Sequence, residues 1–239
     1  MFDVKSLNYE MDTAGMSMNE VSNLHNQMFV AKDWDWWYEV LPDDTVVDIG
    51  AGFGMFAAKA LDAGAKRVYM IEPNKRLLKT ACKNVAEHMF NRTEDIKVVP
   101  IHAAMGRTDV DLSGVYKSAT VQEDTEEPKL MSFAELVEYH DLQTIDFLKV
   151  DANGAEFNIL HHSHRDFLTC QVRHIAVRVN LSTQYAANGK FLEWRDKFLK
   201  AARDTNKLYM QDSTMVEKLF RNDWHKHVPL SFMVYIKNW

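Results

Sequence analysis

The stretch TVVDIGAGFG, residues 45–54, decides the fold. Residues 45–49 are short, apolar and β-branched, which is typical of a buried strand, and the glycines that follow end it. Residues 55–63 then predict a helix, with Gly64 just beyond its end. A glycine-rich turn between a strand and a helix lets a ligand approach the backbone closely, so this junction is a candidate binding site.

The same alternation of strand and helix continues along the chain. Six further strands are predicted, at residues 67–71, 96–101, 145–150, 174–179, 207–210 and 230–236. Helices are predicted at residues 75–88, 132–139, 155–161 and 191–202. Strands that alternate with helices form a mostly parallel sheet with helices on both faces. We therefore predict an α/β fold, doubly wound around a mostly parallel, seven-stranded sheet.

The composition disfavours several classes of protein. Lys and Arg number 28 against 34 Asp and Glu, a net charge of −6, which is unlike a protein that mainly binds nucleic-acid phosphates. No apolar stretch has the length of a membrane span or the flanks of a signal peptide. Cys82 and Cys170 are too few and too far apart for a disulfide framework or a zinc site. We expect a cytoplasmic protein with no nucleic-acid partner, no membrane partner and no metal.

A second candidate residue, Glu72, ends the next predicted strand. A carboxylate in that place can accept hydrogen bonds from the two hydroxyls of a ribose. Both S-adenosylmethionine and NAD carry such a ribose. The glycine turn and Glu72 together therefore predict an adenosyl cofactor and leave these two open.

The wider run of residues 46–85 resembles the opening of the FkbM-type methyltransferases, a branch of the class I enzymes that use S-adenosylmethionine on a Rossmann-like fold. The matching motifs are the turn itself, Gly64-Ala65, Glu72-Pro73, Leu77-Leu78 and Asn84. The resemblance covers about residues 41–180, and it continues at Ala103–Gly106, Phe147–Asp151 and Gly154-Ala155-Glu156.

This resemblance implies S-adenosylmethionine as the cofactor and assigns residues to it. Gly50, Ala51 and Gly52 would line its methionine and ribose side, and Glu72 would hold the ribose hydroxyls. His102, Ala103 and Ala104 would lie by the adenine. The implied set is completed by Asp48, Phe53, Pro73 and Asp151, of which Asp151 would face the methionine end.

The resemblance also implies the reaction, which is O-methylation of a hydroxyl on a small molecule or a glycan. Such a hydroxyl needs a group to accept its proton. Asp151 is the first catalytic candidate, and His161, in the cluster HHSH of residues 161–164, is the second. Three positions depart from the family pattern: Gly52 replaces an asparagine, and Asn153 and Arg178 replace carboxylates.

Residues 1–40 are predicted to be a helical and aromatic lead-in, and residues 41–239 to be the cofactor-binding methyltransferase domain. The stretch DWDWWY, residues 33–38, carries four aromatic rings. These rings either cover the edge of the sheet or form one wall of the acceptor pocket. The sequence leaves both interpretations open, and it leaves the oligomeric state open as well.

Other functions predict motifs of their own. An NAD-dependent oxidoreductase would carry G-x-G-x-x-G and a Tyr-x-x-x-Lys pair, neither of which stands in the sequence. A nucleic-acid methyltransferase would carry an N-P-P-Y-type motif where residues 151–154 read DANG. A protein that binds the cofactor without catalysis would fit the replaced carboxylates at Asn153 and Arg178.

Overall fold

A computed structural model describes residues 2–4, 9–89, 95–106, 127–160, 172–181 and 190–238. The chain divides into two compact units. The first consists of Met1–Ala104 with Val121–Lys129, and the second of Met105–Thr120 with Leu130–Trp239. Among the described residues, no helix combines the length and the apolar character that crossing a bilayer requires.

The first unit is built on three parallel strands in the order β5-β4-β3. Its elements are β1 (Phe2–Val4), β2 (Tyr9–Met11), α1 (Met18–His25), β3 (Thr45–Ile49), α2 (Met55–Asp62), β4 (Arg67–Glu72), α3 (Lys75–Met89) and most of β5 (Lys97–Met105). One π-helical turn, Asn26–Val30, follows α1, and β1 pairs with β2 as a separate antiparallel ribbon.

Four strands of the second unit pair in the order β7-β8-β10-β9, with β7 and β8 parallel and β10 antiparallel to both of its neighbours. Its elements are most of β6 (Lys129–Met131), α4 (Phe133–His140), β7 (Ile145–Val150), α5 (Glu156–Ile159), β8 (Val172–Asn180), α6 (Lys190–Trp194), α7 (Lys200–Asp204), β9 (Leu208–Tyr209), α8 (Ser213–Leu219) and β10 (Ser231–Lys237). A π-helical turn, Arg195–Leu199, joins α6 to α7.

Burial explains why these strands form. Every residue of β3 and of β7 is buried, which is the pattern of parallel strands that helices cover on both faces. In the second unit an aromatic cluster joins α5 to α6: the Phe157 ring centroid lies 5.2 Å from that of Trp194 and 5.6 Å from that of Phe191. Ser132 and Glu135 form the predicted capping box that begins α4.

The α/β class and the mostly parallel sheet are confirmed, but the main sheet has eight strands, β3 to β10, where seven were predicted. The additional strand is β6. A strand of three residues is too short to show the alternation of apolar and polar side chains by which strands are recognised. The sequence therefore does not distinguish β6 from the polar stretch before it. The rest of the predicted covering segment, up to residue 126, lies outside the described residues.

In the predicted lead-in, Trp34 is buried against α2, with its ring centroid 6.2 Å from that of Phe56. Trp36 and Trp37 are 40% and 37% exposed. The aromatic stretch therefore covers a helix with one ring and presents two rings to solvent. The boundary at residue 40 stays a prediction.

Candidate cofactor-binding site

The glycine turn after β3 needs glycine for two different reasons. Gly50, Gly52 and Gly54 have φ values of +78°, +57° and +89°, in the left-handed region that side chains disfavour. A Cβ on Gly54 would stand 3.0 Å from Ala81 of α3, so this glycine lets the turn pack on the helix. Around a Cβ on Gly52, by contrast, no atom of the described residues comes within 4 Å. The Gly52 side of the turn is thus open to a ligand.

Glu72, the last residue of β4, is buried and binds the turn directly. Its Oε2 accepts the N–H of Gly52 at 2.9 Å, and its Oε1 accepts the N–H of Asn74 at 2.9 Å. These two bonds fix the Glu72 carboxylate at the end of β4, beside the glycine turn. The side chain of Asn74 caps α3 by accepting the N–H of Leu77 at 3.0 Å.

Three other backbone amides of the turn are engaged within the chain. Gly50 and Ala51 both donate to the carbonyl of Ile71, at 2.9 and 3.1 Å. Gly54 donates to the carbonyl of Ala51 at 2.9 Å. With the bond from Gly52 to Glu72, four turn N–H groups are already satisfied. These four N–H groups are therefore engaged and do not point a free donor at a phosphate.

His102 lies beside Glu72 on the neighbouring strand, because the two residues are partners in the β4–β5 register. Its Nε2 lies 2.9 Å from the carbonyl oxygen of Pro73. A carbonyl only accepts, so Nε2 carries the proton, and Nδ1 of the neutral ring is an acceptor. The next residues of β5, Ala103 and Ala104, are buried, which makes this end of the strand narrow and apolar.

The remaining predicted cofactor residues of the first unit lie in β3, in the turn after it, and directly after β4. Asp48 is fully buried in the strand, and Ala51 and Phe53 are buried in the turn. Pro73 is half-buried after β4. The first unit therefore brings the predicted adenosyl-binding residues to the carboxyl ends of three parallel strands, where ligands bind in open α/β sheets.

In the second unit, Asp151 follows β7 and is ion-paired. Oδ2 of Asp151 lies 3.5 Å from Nε of Arg178, because the parallel register sets residue 151 beside residue 178. The predicted base is therefore next to one of the two positions where a family carboxylate is replaced. His161 lies outside the described residues. Within the described part of the chain, no three His, Cys, Asp or Glu side chains stand close enough together to hold a metal.

Glu156 of α5 holds the loop that carries Asp151. It accepts the N–H of Ala152 at 3.0 Å and the N–H of Gly154 at 2.8 Å. Complete burial, with a smaller contribution from the charge of Asp151, raises the pKa of Glu156 to about 8, against the lowering effect of the hydrogen bonds that it accepts. Sequence reasoning quoted Glu156 only as a motif residue. Its spacing of two and four residues from the loop amides was the signal available for this role.

Comparison with known protein families assigns the chain to one of them. A sequence model described as the methyltransferase FkbM domain matches residues 48–207, which is more than half of the chain. The chain belongs to the FkbM methyltransferase family. The resemblance found in the sequence is thereby confirmed. A comparison with curated proteins finds no match to this FkbM chain.

Solved structures support the fold of the FkbM chain. A crystal structure of methyltransferase FkbM from Methylobacillus flagellatus KT matches with a TM-score of 0.57 at 14% identity, over 98% of this chain and 58% of the other. The METTL16 MTase domain matches with a TM-score of 0.50 at 11% identity, over 98% of this chain and 74% of the other. The chain thus spans 58% of the length of the FkbM structure that it matches. Both likenesses show a class I methyltransferase-like fold.

Proposed function

We propose that this FkbM chain is an S-adenosylmethionine-dependent methyltransferase that methylates a hydroxyl on a small molecule or a glycan. The observation that carries the cofactor assignment is the Glu72 carboxylate, which is fixed at the end of β4 by two backbone N–H groups beside the open face of Gly52. A carboxylate fixed in this place is suited to accept hydrogen bonds from the paired hydroxyls of a ribose.

The bonding of the glycine turn favours S-adenosylmethionine over NAD. NAD carries a diphosphate that dinucleotide-binding turns hold with backbone N–H groups. In this chain the amides of Gly50, Ala51, Gly52 and Gly54 already have acceptors in the protein. S-adenosylmethionine carries no phosphate, and its one anionic group is the carboxylate of its methionine part.

The residues present fit this cofactor. Glu72 would hold the ribose hydroxyls, Gly52 would allow close approach of the backbone, and Nδ1 of His102 would be an acceptor for the amino group of the adenine. When bound, S-adenosylmethionine supplies a methyl group on an electrophilic sulfonium, so the main task of the protein is to orient an acceptor.

The chain's own contribution to the transfer is to take the acceptor's proton. We assign this role to Asp151, whose carboxylate follows β7 in the place where ligands of this fold class bind. Glu156 supports it by fixing the loop of residues 151–154 through two hydrogen bonds. His161 remains the second candidate.

One observation favours a second candidate function, cofactor binding without methyl transfer. Arg178 pairs with Asp151, and both Arg178 and Asn153 replace family carboxylates. The Arg178 guanidinium would compete with an acceptor hydroxyl for the Asp151 carboxylate. A protein of this kind would bind the cofactor and leave its methyl group in place.

Titration calorimetry of the intact chain tests the cofactor assignment. We expect S-adenosylmethionine and S-adenosylhomocysteine to bind at micromolar strength, and NAD not to bind. Glu72→Gln keeps the size of the side chain but removes its charge, and should weaken binding of S-adenosylhomocysteine about tenfold or more. Glu138→Gln, at an exposed position of α4, is the matched control and should leave binding unchanged.

The outcomes separate the alternatives. Binding of NAD with no binding of either adenosyl ligand would replace the methyltransferase by an oxidoreductase. Binding of neither class of ligand would refute the cofactor assignment altogether. When S-adenosylmethionine binds, methyl transfer to a panel of hydroxylated sugars and small hydroxy compounds distinguishes the enzyme from the binding protein.

A further inference from the structure

Asn84 on α3 joins two parts of the first unit that are far apart in sequence. Its side chain is fully buried, and its Nδ2 donates to the carbonyl of Phe53 in the glycine turn at 2.8 Å. The same Nδ2 donates to the carbonyl of Asp12 at 2.8 Å, and Oδ1 accepts the N–H of Asp12 at 2.8 Å. The side-chain amide thus makes two hydrogen bonds to the backbone of Asp12, as a neighbouring strand would, and a third to the glycine turn.

Residues 11–15, here called the N-terminal segment, lie along α3 through further contacts. Met11 is fully buried, and Arg76 donates to the carbonyl of Ala14 at 2.9 Å. Gly15 has a φ of +80°, and a Cβ there would stand 3.0 Å from the guanidinium of Arg76. Lys83 adds an exposed ion pair to Asp12 at 3.7 Å. The segment is therefore docked on the same helix that supports the glycine turn.

The amide of Asn84 is planar, so one orientation of its plane serves all three hydrogen bonds. When the N-terminal segment leaves α3, two of the three bonds are lost and the amide is free to turn away from Phe53. The carbonyl of Phe53 then loses a buried donor, which is unfavourable. The shape of the glycine turn depends in this way on a segment that precedes it by about 40 residues, a distance that only tertiary folding can bridge.

We propose that Asn84 is a positioning residue that couples docking of the N-terminal segment to cofactor binding at the glycine turn. Linkage makes the coupling reciprocal: a ligand that fixes the turn also fixes the segment, and a docked segment strengthens binding of the ligand. The proposal rests on the proposed function only in that S-adenosylhomocysteine is the ligand used to probe the turn.

The test uses four forms of the intact chain besides the wild type. Gly15→Ala loosens the segment through its positive φ and the contact with Arg76, without touching the turn. Asn84→Asp keeps an oxygen for the N–H of Asp12 but sets a carboxylate oxygen against the carbonyls of Asp12 and Phe53. The double variant combines both, and Lys83→Ala, which removes the exposed ion pairs of Lys83 with Asp12 and Glu87 and none of the hydrogen bonds of Asn84, is the control.

Two quantities are measured: hydrogen exchange of residues 50–54 without ligand, and the Kd of S-adenosylhomocysteine by calorimetry. We expect Gly15→Ala alone to speed exchange in the turn and to weaken binding, each by about threefold to tenfold. In the Asn84→Asp background the same substitution should add almost nothing, because the coupling is already broken. Lys83→Ala should stay within about twofold of the wild type.

Two results would overturn the coupling. One is that Gly15→Ala changes exchange only in residues 9–17. The other is that the effects of Gly15→Ala and Asn84→Asp multiply in the double variant. Should Asn84→Asp not fold, the contrast between Gly15→Ala and Lys83→Ala decides alone. If the wild type does not bind S-adenosylhomocysteine, the proposed function fails, and exchange without ligand still decides the role of Asn84.

Discussion

Arg178 lies with its Nε 3.5 Å from Oδ2 of Asp151, and both side chains are largely buried beside the ends of β8 and β7. The pair joins the first candidate for the catalytic base to the residue that departs most sharply from the family pattern. Because water screens this pair less than a surface pair, each charge depends on the other for its stability. Whether Asp151 is held mainly for stability or for chemistry can be tested by removing the two charges in turn.

A double-mutant cycle with Arg178→Met and Asp151→Asn measures the pair. We expect each single substitution to lower the free energy of unfolding by about 1–3 kcal/mol, since each leaves a partly buried charge without its partner. The double variant should be less destabilised than the sum, with a coupling of about 1 kcal/mol, measured by urea unfolding. The exposed pair of Lys197 and Glu193 on α6 and its π-helical turn is the control, with a coupling below about 0.5 kcal/mol. Equal coupling in the two cycles would show that the buried pair has no special role.

Glu156 makes the stability of the chain depend on pH. Its pKa is raised from the ordinary 4.5 to about 8 in the folded chain, so between these values the folded state keeps a proton that the unfolded state has released. The contribution of Glu156 is therefore complete below pH 4.5, is lost as the pH rises, and levels off above pH 8. The slope is at most about 1.4 kcal/mol per pH unit.

Glu156→Gln removes this titration. We expect the difference in free energy of unfolding between the wild type and Glu156→Gln to shift steadily against the wild type from pH 5 to pH 8, measured by urea unfolding at constant ionic strength. Glutamine also loses one of the two hydrogen bonds to the loop, but that offset does not change with pH. Glu138→Gln at the exposed face of α4 should run parallel to the wild type. Parallel curves for Glu156→Gln as well would show that Glu156 is ionised in the folded chain.

Local patterns predicted the parts of this fold that are encoded locally. A few residues suffice to recognise the β-branched run of β3, the glycines after it and the carboxylate that ends β4. In the structure the N–H of Gly52 donates to Oε2 of Glu72 at 2.9 Å. The capping box of Ser132 and Glu135 was equally visible, because a helix start requires side chains three residues apart.

Contacts between distant segments left no such pattern. Asp12 and Asn84 are 72 positions apart, and neither residue type nor spacing indicates that one amide would pair with the backbone of the other. The ion pair of Asp151 and Arg178 arises from the register of two parallel strands, which a single sequence does not specify. In the sequence Asn84 only matches a family motif, and Arg178 only departs from one. Their contacts become visible only in the folded structure.

The two glycines that differ in packing should respond differently to substitution. Gly54→Ala combines a φ of +89° with a Cβ only 3.0 Å from Ala81, so we expect a loss of about 2–4 kcal/mol in the free energy of unfolding. A Cβ at residue 52 meets no described atom within 4 Å, and asparagine tolerates the left-handed region, so the loss for Gly52→Asn should stay below about 1 kcal/mol. Thermal and urea unfolding check both. A Gly52→Asn variant as unstable as Gly54→Ala would mean that the open face of the turn is closed in solution.

The ion pair of Lys59 on α2 and Asp35 in the lead-in is mostly buried, and it should be costly to break from one side. Nζ of Lys59 donates to Asp35 and to the carbonyl of Met28, and burial raises the pKa of Asp35 while Lys59 opposes that rise. Lys59→Met should lower the free energy of unfolding by about 2–4 kcal/mol at neutral pH, because it leaves a buried carboxylate without its cation. Adding Asp35→Leu should recover part of this loss. Lys32→Met, which breaks the exposed pair with Glu39 and removes a weaker electrostatic contribution to Asp35, should change it by less than about 0.5 kcal/mol. Recovery is the decisive measurement, since a double variant no more stable than Lys59→Met would show that the aliphatic stem of Lys59, and not its charge, stabilises the lead-in.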